Sequence, residues 1–443
     1  MPPKRFPAQN VDPSPLGQPL HFEFSGRTAP NRFLKAAMSE QLSSWDATNL
    51  AKRGVPSQEL IEVYRKWGEG GFGVVLTGNV MIEYDHLESS GNPIIPREAT
   101  FSDERFQAFE QLATAAKVHG SLVIPQISHP GRQTNSRIQP NPVSASDVQL
   151  VSPYPGVAFS KPRSLTREEI NNVVDKFAHA AEFCYKAGYD GVQLHGAHGY
   201  LIAQFLAPTT NKRTDAYGGS LENRARFLFE TVDAIRARTS KTFIIGIKLN
   251  SVESQEGGFT TDDSRDLCVK LEEHAVDFVE LSGGTFESLA FEHKRESTKR
   301  REAFFLDFAD KIVPHLKRTK VFVTGGFKTA AAMVTALDSV HGVGIGRPAC
   351  DEFDLPKVIL EGGGQSAVHN LVDAHEFVVS NAAAGAQMKL VGQGRKTLDL
   401  STERDADIFL SSLKKWMAAK AADESNELYG WVPISPKDFE VQA

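Results

Sequence analysis

Two histidines and a tyrosine stand together in the run HGAHGY, where His195, His198 and Tyr200 follow a short apolar segment. Two imidazoles at this spacing can both donate hydrogen bonds to one carbonyl oxygen and withdraw electrons from it. A phenol two residues further along can supply a proton, because a polar site tolerates its conjugate base. The residue types therefore predict a site that activates an electrophile and protonates it. Buried structural histidines are the alternative interpretation.

Glycine-rich segments follow two later apolar runs. The run TGG ends in Gly325 and Gly326, and the run GIG leads from Gly346 into Arg347. Glycine lets backbone N–H groups approach an anion with no Cβ in the way, and a guanidinium suits phosphate oxygens. The pattern favours a phosphate-binding site, although the same glycines could serve only to permit tight turns.

Metal chemistry finds little support in the sequence. His195 and His198 form an HxxH pair, but we find no further cysteine, histidine or aspartate cluster to complete a ligand set. The three cysteines, Cys184, Cys268 and Cys350, are too far apart for a CxxC motif or an iron–sulfur ligand set. We therefore expect no metal ion in the site.

The elements that must position these residues follow a simple rhythm, in which short apolar runs alternate with longer amphipathic runs. Capping boxes at Thr166 with Glu169 and at Thr260 with Asp263 mark two helix starts. Strands that are apolar on both faces predict a parallel sheet covered by helices, and eight repeats fit an α/β TIM (β/α)8 barrel. An open doubly wound sheet fits less well. The strand candidates are 32–38, 72–80, 121–127, 190–195, 243–249, 277–281, 320–324 and 342–345, and the helix candidates are 57–69, 102–119, 166–187, 220–239, 261–274, 304–316 and 329–338.

We divide the chain into an N-terminal arm (1–30), a barrel (31–365) and a C-terminal helical extension packed on the barrel (366–443). Three capping insertions follow the carboxyl ends of strands, where barrel enzymes build their active sites. Ordinary surface loops are the alternative interpretation. These insertions are residues 128–165, 196–219 and 283–303.

The extension contains a predicted amphipathic helix over 403–421. Phe409, Leu413 and Trp416 fall on one face of this helix at i, i+4 and i+7. We expect this apolar stripe to pack against the barrel, with a partner-binding surface as the alternative.

The composition limits the classes of partner. A formal net charge of -6 gives no electrostatic reason for binding nucleic acid. No apolar run is long enough to cross a bilayer, and the N-terminus MPPKRFPAQN lacks the apolar segment of a secretory signal. Few cysteines suit a reducing compartment, so we expect a cytoplasmic protein. Assembly into a homo-oligomer is left open.

Two long motifs, HGAHGYLIAQFLAP (195–208) and NKRTDAYGGSLENRARF (211–227), resemble the signature of the Old Yellow Enzyme family of NADH:flavin oxidoreductases and ene-reductases. The resemblance extends strand by strand through about residues 16–365. The pattern resembles most the thermophilic-like subgroup of that family. The further motifs that carry it are NRFLKAAMSE, PQISHPGRQ, LSGG, TGGF and GIGRP.

The resemblance implies an FMN at the barrel mouth, with its phosphate at the last two strands. His195 and His198 would hold a substrate oxygen, Tyr200 would donate a proton, and Gln126 would hydrogen-bond the pyrimidine edge of the flavin. Lys248 would lie near flavin N1 and O2, where a cation stabilises reduced flavin. A lysine reaching out of its strand to solvent is the alternative. The implied cofactor-binding residues are Ala36, Ala37, Met38, Ser39, Gly78, Gln126, His195, Lys248, Gly325, Gly326, Gly346 and Arg347.

Two positions depart from the family pattern. The subgroup often has cysteine where this chain has Ser39, and tyrosine where this chain has Gln41. The cysteine thiol modulates the flavin potential and the tyrosine touches the substrate. The resemblance therefore leaves redox tuning and substrate range open.

The implied function is FMN-dependent ene-reduction. NADPH or NADH would visit transiently, and hydride would pass through flavin N5 to the β-carbon of an α,β-unsaturated carbonyl or nitroalkene, with Tyr200 as proton donor. The lack of a GxGxxG motif fits a nicotinamide that does not stay bound. One alternative is an NADH:flavin oxidase or quinone reductase on the same scaffold. The other is a non-catalytic barrel that serves a pathway as a binding protein.

Overall fold

A computed structural model describes residues 2–152, 157–251, 257–282, 306–374 and 377–436. Eight parallel strands form a closed barrel in which the eighth strand pairs with the first. All eight predicted strands, and with them the predicted TIM barrel, are confirmed. The barrel strands are β1 (Phe33–Lys35), β2 (Val74–Met81), β3 (Leu122–Ser128), β4 (Gly191–Gly196), β5 (Ile244–Asn250), β6 (Phe278–Ser282), β7 (Lys320–Thr324) and β8 (Gly342–Ile345).

Helices alternate with the strands as the apolar periodicity predicts. Both predicted capping boxes are present, since Thr166 and Thr260 each accept the N3 backbone N–H and each N3 carboxylate accepts from the cap. The helices are α1 (Gln58–Glu69), α2 (Glu104–Lys117), α3 (Arg167–Lys186), α4 (Leu201–Leu206), α5 (Leu221–Arg238), α6 (Thr261–Glu273), α7 (described over 306–312), α8 (Ala330–Ala336), α9 (Pro348–Asp351), α10 (Leu355–Leu360), α11 (Phe377–Gly392) and α12 (Glu403–Ala422).

Apolar side chains close the amino-terminal end of the barrel. A short hairpin of the arm, Leu20–His21 paired with Thr28–Ala29, carries Phe22 into this end. The ring of Phe22 lies 5.9 Å from Phe278 and 6.5 Å from Phe322, measured between centroids. Because this end is filled, a ligand can enter only at the carboxyl-terminal end, where parallel barrels place their sites.

The second insertion lies within the described residues, and so does the first except for residues 153–156. The first forms a two-stranded pair, Val143–Ser144 with Arg163–Ser164, and the second contains α4. Both follow carboxyl ends of barrel strands. The third insertion, 283–303, lies outside the described residues.

The helices after the barrel form their own apolar cluster. Helix α11 packs on α1, and in the predicted stripe of α12 Phe409 is fully buried whereas Leu413 and Trp416 are partly buried. The stripe packs against α11 and the neighbouring extension residues, not against the barrel, so that expectation was wrong. Helix α11 has apolar residues on two sides. Ala384 and Met388 belong to the main core, whereas Ala383 and Leu390 belong to the cluster of the extension. No helix of the described residues is long and apolar enough to span a bilayer.

Candidate active site

The histidine pair and the tyrosine come together at the carboxyl end of β4. His195 is the fifth residue of β4, and its ring lies 4.1 Å from the Tyr200 ring and 5.4 Å from the His198 ring. His198 adopts a left-handed conformation, with φ of 57°, which turns the loop back over the barrel mouth. A non-glycine residue in this conformation is typical of a functional site.

The ends of β5 and β6 hold the loop that carries His198. The backbone N–H of His198 donates to Oδ1 of Asn250 at 3.2 Å, and its Nε2 lies 2.9 Å from Oγ of Ser282. Burial and the charge of Lys248 lower the pKa of His198 to about 3. Burial lowers the pKa of His195 well below its usual range as well. Both rings are therefore neutral hydrogen-bond donors at physiological pH.

Tyr200 faces a small polar cluster that the sequence did not predict. Nδ2 of Asn79 lies 3.4 Å from the Tyr200 hydroxyl and 3.3 Å from Oγ of Ser39, which donates to Glu88 at 2.8 Å. Burial, and then the carboxylate of Glu88, raise the pKa of Tyr200 well above its usual value, whereas the bond from Asn79 lowers it. The phenol is therefore protonated and available as an acid.

The glycines of the predicted phosphate site lie at the ends of β7 and β8. Gly325 and Gly326 have positive φ values of 146° and 80°, which a side chain would disfavour. A Cβ on Gly346 would meet only Sδ of Met38, at 3.6 Å, so the space beside this glycine is open. The next residue, Arg347, donates to Oγ of Ser380 in α11 and lies 6.0 Å from the Phe377 ring. Ser380 of the extension thus fixes the position of Arg347, which the sequence predicts to bind phosphate.

The chain after β1 runs along the barrel mouth. The N–H of Ala36 donates to the carbonyl of Ile345 at 2.9 Å, which ties this segment to β8. Ala37 and Met38 follow, and the carbonyl of Ser39 accepts from the Trp431 indole at 2.7 Å. The segment that the resemblance assigns to the flavin ring is thus anchored at both ends.

Neighbouring protein atoms leave no room for a side chain at Gly78. A Cβ there would lie 2.4 Å from the carbonyl of Met38 and 2.4 Å from Oε2 of Glu40. Its N–H donates to Oε1 of Glu40 at 2.8 Å. The glycine therefore lets β2 approach the chain that follows β1, which the sequence motif alone could not show.

Lys248 has a partner within the protein. Its Nζ lies 2.8 Å from Oε1 of Glu280, which also accepts from Oγ1 of Thr324 at 2.6 Å. The other oxygen of Glu280 accepts from Gln193 at 2.7 Å, and Gln193 accepts from Gln126 at 2.7 Å. A buried network thus joins two residues that the resemblance assigns to the flavin. Glu280 was missed, although a glutamate inside the apolar run DFVEL needs a partner as much as a lysine does.

A second group of ionisable residues lies beside β3. Glu83, His86 and His129 each place a potential ligand atom within 4.8 Å of the others. The N–H of Gly131 donates to Nδ1 of His129, so the ring hydrogen sits on Nε2, which faces Glu83 at 3.5 Å. Lys176 already pairs with Glu83 at 2.8 Å. These contacts favour an ion-pair network over a metal site. Nε2 of His129 carries the ring hydrogen, so it has no free lone pair to offer a metal ion.

Two observations test whether a flavin fits the barrel mouth. Nδ1 of His195 is buried and has no hydrogen-bond partner among the described residues, as expected of a group that meets a ligand. The space beside Gly346 is open next to a guanidinium. An anion can therefore bind at one side of the mouth and a polar ligand at the other. This combination, on a parallel barrel, fits one class of protein, the barrel oxidoreductases that hold a phosphorylated flavin.

The comparison with known families narrows this class. The family model for the NADH:flavin oxidoreductase / NADH oxidase family matches residues 15–363. The chain belongs to this family. It is an oxidoreductase of the Old Yellow Enzyme type, whose members normally depend on FMN.

Individual relatives agree with the family assignment. The NADH-dependent flavin oxidoreductase nadA of Aspergillus parasiticus is 50% identical over 423 residues, which covers 95% of both chains. The 12-oxophytodienoate reductase 1 of Oryza sativa subsp. japonica is 40% identical over 165 residues, 37% of this chain and 43% of that protein. The Old Yellow Enzyme homologue of Zymomonas mobilis has a TM-score of 0.66 at 24% identity over 83% of this chain and 98% of that one, a likeness of fold.

Proposed function

We propose that this protein is an ene-reductase that adds hydrogen across the C=C bond of an α,β-unsaturated carbonyl or nitroalkene. The observation that carries the proposal is the pair of neutral imidazoles with the protonated Tyr200 ring 4.1 Å from His195. The name of the rice relative, a 12-oxophytodienoate reductase, supports this substrate class. NADH is the expected donor because the Aspergillus relative is NADH-dependent, and NADPH is the alternative.

The proposed roles follow from the chemistry of each side chain. His195 and His198 donate hydrogen bonds to the carbonyl or nitro oxygen and stabilise the negative charge that develops on it. Comparable oxyanion donors contribute about 3–4 kcal/mol each. Tyr200 delivers a proton to the α-carbon. When bound, FMN supplies the hydride that reaches the β-carbon, while NADH is oxidised to NAD+.

The proposed FMN site uses the barrel mouth. Gly325, Gly326, Gly346 and Arg347 would hold the phosphate, and Lys248 would place a cation near the pyrimidine ring. The segment after β1 would contact the ring system. The division into arm, barrel and extension at residues 30 and 365 belongs to the same proposal. The remaining proposed ring contacts are Ala36, Ala37, Met38, Ser39, Gly78, Gln126 and His195.

The experiment separates the two halves of the cycle. The FMN-loaded protein is reduced by NADH without oxygen and then mixed with 2-cyclohexenone. Tyr200→Phe should slow reoxidation by the enone about 100-fold or more, as loss of a general acid does, and should leave reduction by NADH nearly intact. Tyr217→Phe is the matched control, because Tyr217 is also buried but its hydroxyl donates to Glu230 and not to Asn79 or another residue beside Tyr200. Equal loss in both halves would show that Tyr200 has another role.

A second candidate function keeps the same cofactor site. The family description includes NADH oxidase, which favours electron transfer to oxygen or a quinone. Turnover under air and under nitrogen, with and without the enone, distinguishes the two functions. An ene-reductase consumes NADH under nitrogen only when the enone is present. An oxidase needs oxygen, a quinone reductase needs an added quinone, and neither responds to the enone.

A further inference from the structure

A carboxylate lies in the centre of the barrel, below the proposed flavin site. Glu280 on β6 is fully buried and receives three hydrogen-bond donors, from Lys248, Thr324 and Gln193. All three donor distances are between 2.6 and 2.8 Å. Because both oxygens only accept, the network suits an ionised carboxylate and gives it strong charge-assisted bonds.

The carboxylate fixes the direction of two amides. Glu280 can only accept, so Gln193 must turn its NH2 group toward it, and the 2.7 Å contact shows this arrangement. Gln193 then presents Oε1 to its neighbour on β3, and Gln126 must turn its own NH2 toward Gln193. Oε1 of Gln126 is left as the acceptor, because the two hydrogen bonds of Gln126 to described residues use its backbone N–H and its NH2 group.

We propose that Glu280 is a positioning residue for the flavin, a role that rests on the proposed FMN site. Through Gln193 it orients Gln126 so that an acceptor, and not a donor, is offered to the ligand. A flavin pyrimidine ring carries one N–H, at N3, which requires an acceptor. The same carboxylate holds the Lys248 ammonium in place and offsets part of its charge.

The second effect concerns the reduction potential. A cation near N1 stabilises the anionic reduced flavin and raises its potential. The Glu280 carboxylate lies 2.8 Å from that cation and therefore counteracts this effect in the interior, where screening is weak. With Glu280 present, the flavin reduction potential should therefore be lower than it would be with Lys248 alone. A low potential favours hydride donation to an alkene.

Two variants separate the orientation of Gln126 from the effect of the Glu280 charge on the reduction potential. Glu280→Gln removes the charge and makes the direction of both amides ambiguous. The flavin midpoint potential should become more positive, and the FMN dissociation constant should rise several-fold. Gln193→Met cuts the bridge to Gln126 and keeps the Lys248–Glu280 pair. It should also weaken FMN binding, but it should shift the potential less than Glu280→Gln does.

Potentials are measured by equilibration with a reference dye, and FMN affinity by recovery of flavin fluorescence on dilution. Thermal melting of each apo-variant shows whether the fold is kept, and Glu280→Asp, which retains the charge, replaces Glu280→Gln if the fold is lost. The Asp variant should keep a potential near that of the unaltered protein while weakening FMN binding. Unchanged FMN affinity and potential in the tested variants would overturn the role of Glu280. An unaltered protein that binds no FMN would instead overturn the proposed function.

Discussion

At the scale of single residues, the site depends on side chains held in one chemical state. Both imidazoles are neutral because burial and the charge of Lys248 oppose their protonation. A neutral imidazole carries one hydrogen, so the partner of its second nitrogen decides which nitrogen faces the substrate. For His198 that partner is Ser282, 2.9 Å from Nε2. When this hydroxyl donates to Nε2, the ring hydrogen sits on Nδ1, which is then the nitrogen that can donate to the substrate.

Removal of this hydroxyl tests the selection of the tautomer. Ser282→Ala should lower kcat/KM for 2-cyclohexenone roughly fivefold, the equivalent of one hydrogen bond of about 1 kcal/mol. FMN content and the rate of reduction by NADH should not change. Ser251→Ala is the matched control, because Oγ of Ser251 binds the carbonyl of Ser282 and not His198. A Ser282→Ala enzyme as efficient as the unaltered one would show that the tautomer is set elsewhere.

At the scale of elements, the sequence predicts the strands well because each is buried on both faces and thus apolar almost throughout. It also predicts the position of His195 near the carboxyl end of its strand. It does not predict Glu88 or Asn79, whose meeting with Tyr200 depends on how the chain after β2 folds back over the mouth. Apolar periodicity also does not show that α12 packs on α11. An apolar stripe predicts which face of a helix is buried, but not which element covers that face.

The contact between α11 and Trp431 allows a test of the extension. A Cβ on Gly385 would lie 2.1 Å from Cγ of Trp431, whose indole donates to the carbonyl of Ser39. Alanine favours a helix by about 1 kcal/mol over glycine, so a neutral site would gain stability. Here Gly385→Ala should instead lower the melting temperature by about 1–2 °C. Overpacking costs about 1–3 kcal/mol, and a chain of this length shifts by only about 1 °C for each kcal/mol.

The control for this variant lies in the same helix. Val378 is 43% exposed, and Val378→Ala should leave the melting temperature nearly unchanged. The double variant Gly385→Ala with Trp431→Phe should recover part of the loss, since a smaller ring leaves space for the methyl group. A Gly385→Ala protein that melts higher than the unaltered one would mean that Trp431 does not occupy this position.

At the scale of the whole molecule, the barrel interior is layered from apolar to polar. Phe278 and Phe322 fill the amino-terminal end, and two residues further along the strands Glu280 and Thr324 belong to the polar network. This order follows from the two-residue period of a strand, because alternate residues point inward. The polar groups therefore collect at the mouth, where they meet the ligand, and the apolar plug keeps the opposite end dry.

The many buried neutral groups also give the molecule a characteristic pH dependence. Burial, then Lys320 and Arg32, lower the pKa of His341 to about 4, and its Nδ1 accepts from the backbone of Val321 at 3.0 Å. An unfolded histidine has a pKa of about 6.5, so the unfolded chain binds the proton first on acidification. The stabilising contribution of neutral His341 is thus fully present above about pH 6.5. It is lost as the pH falls through about 4.

His86 behaves in the opposite way. Burial disfavours its charged form, but the hydrogen bonds to Asp85 and Glu83 dominate and raise its pKa to about 9. Its contribution is present below about pH 6.5 and is lost as the pH rises through about 9. The melting temperature should therefore decline on both sides of neutrality.

His341→Asn keeps an acceptor for Val321 without a titratable ring, so its melting temperature should fall less steeply between pH 6.5 and 4 than that of the unaltered protein. The exposed His119→Asn should follow the unaltered curve, and equal slopes for both variants would remove His341 as a cause of the acid loss.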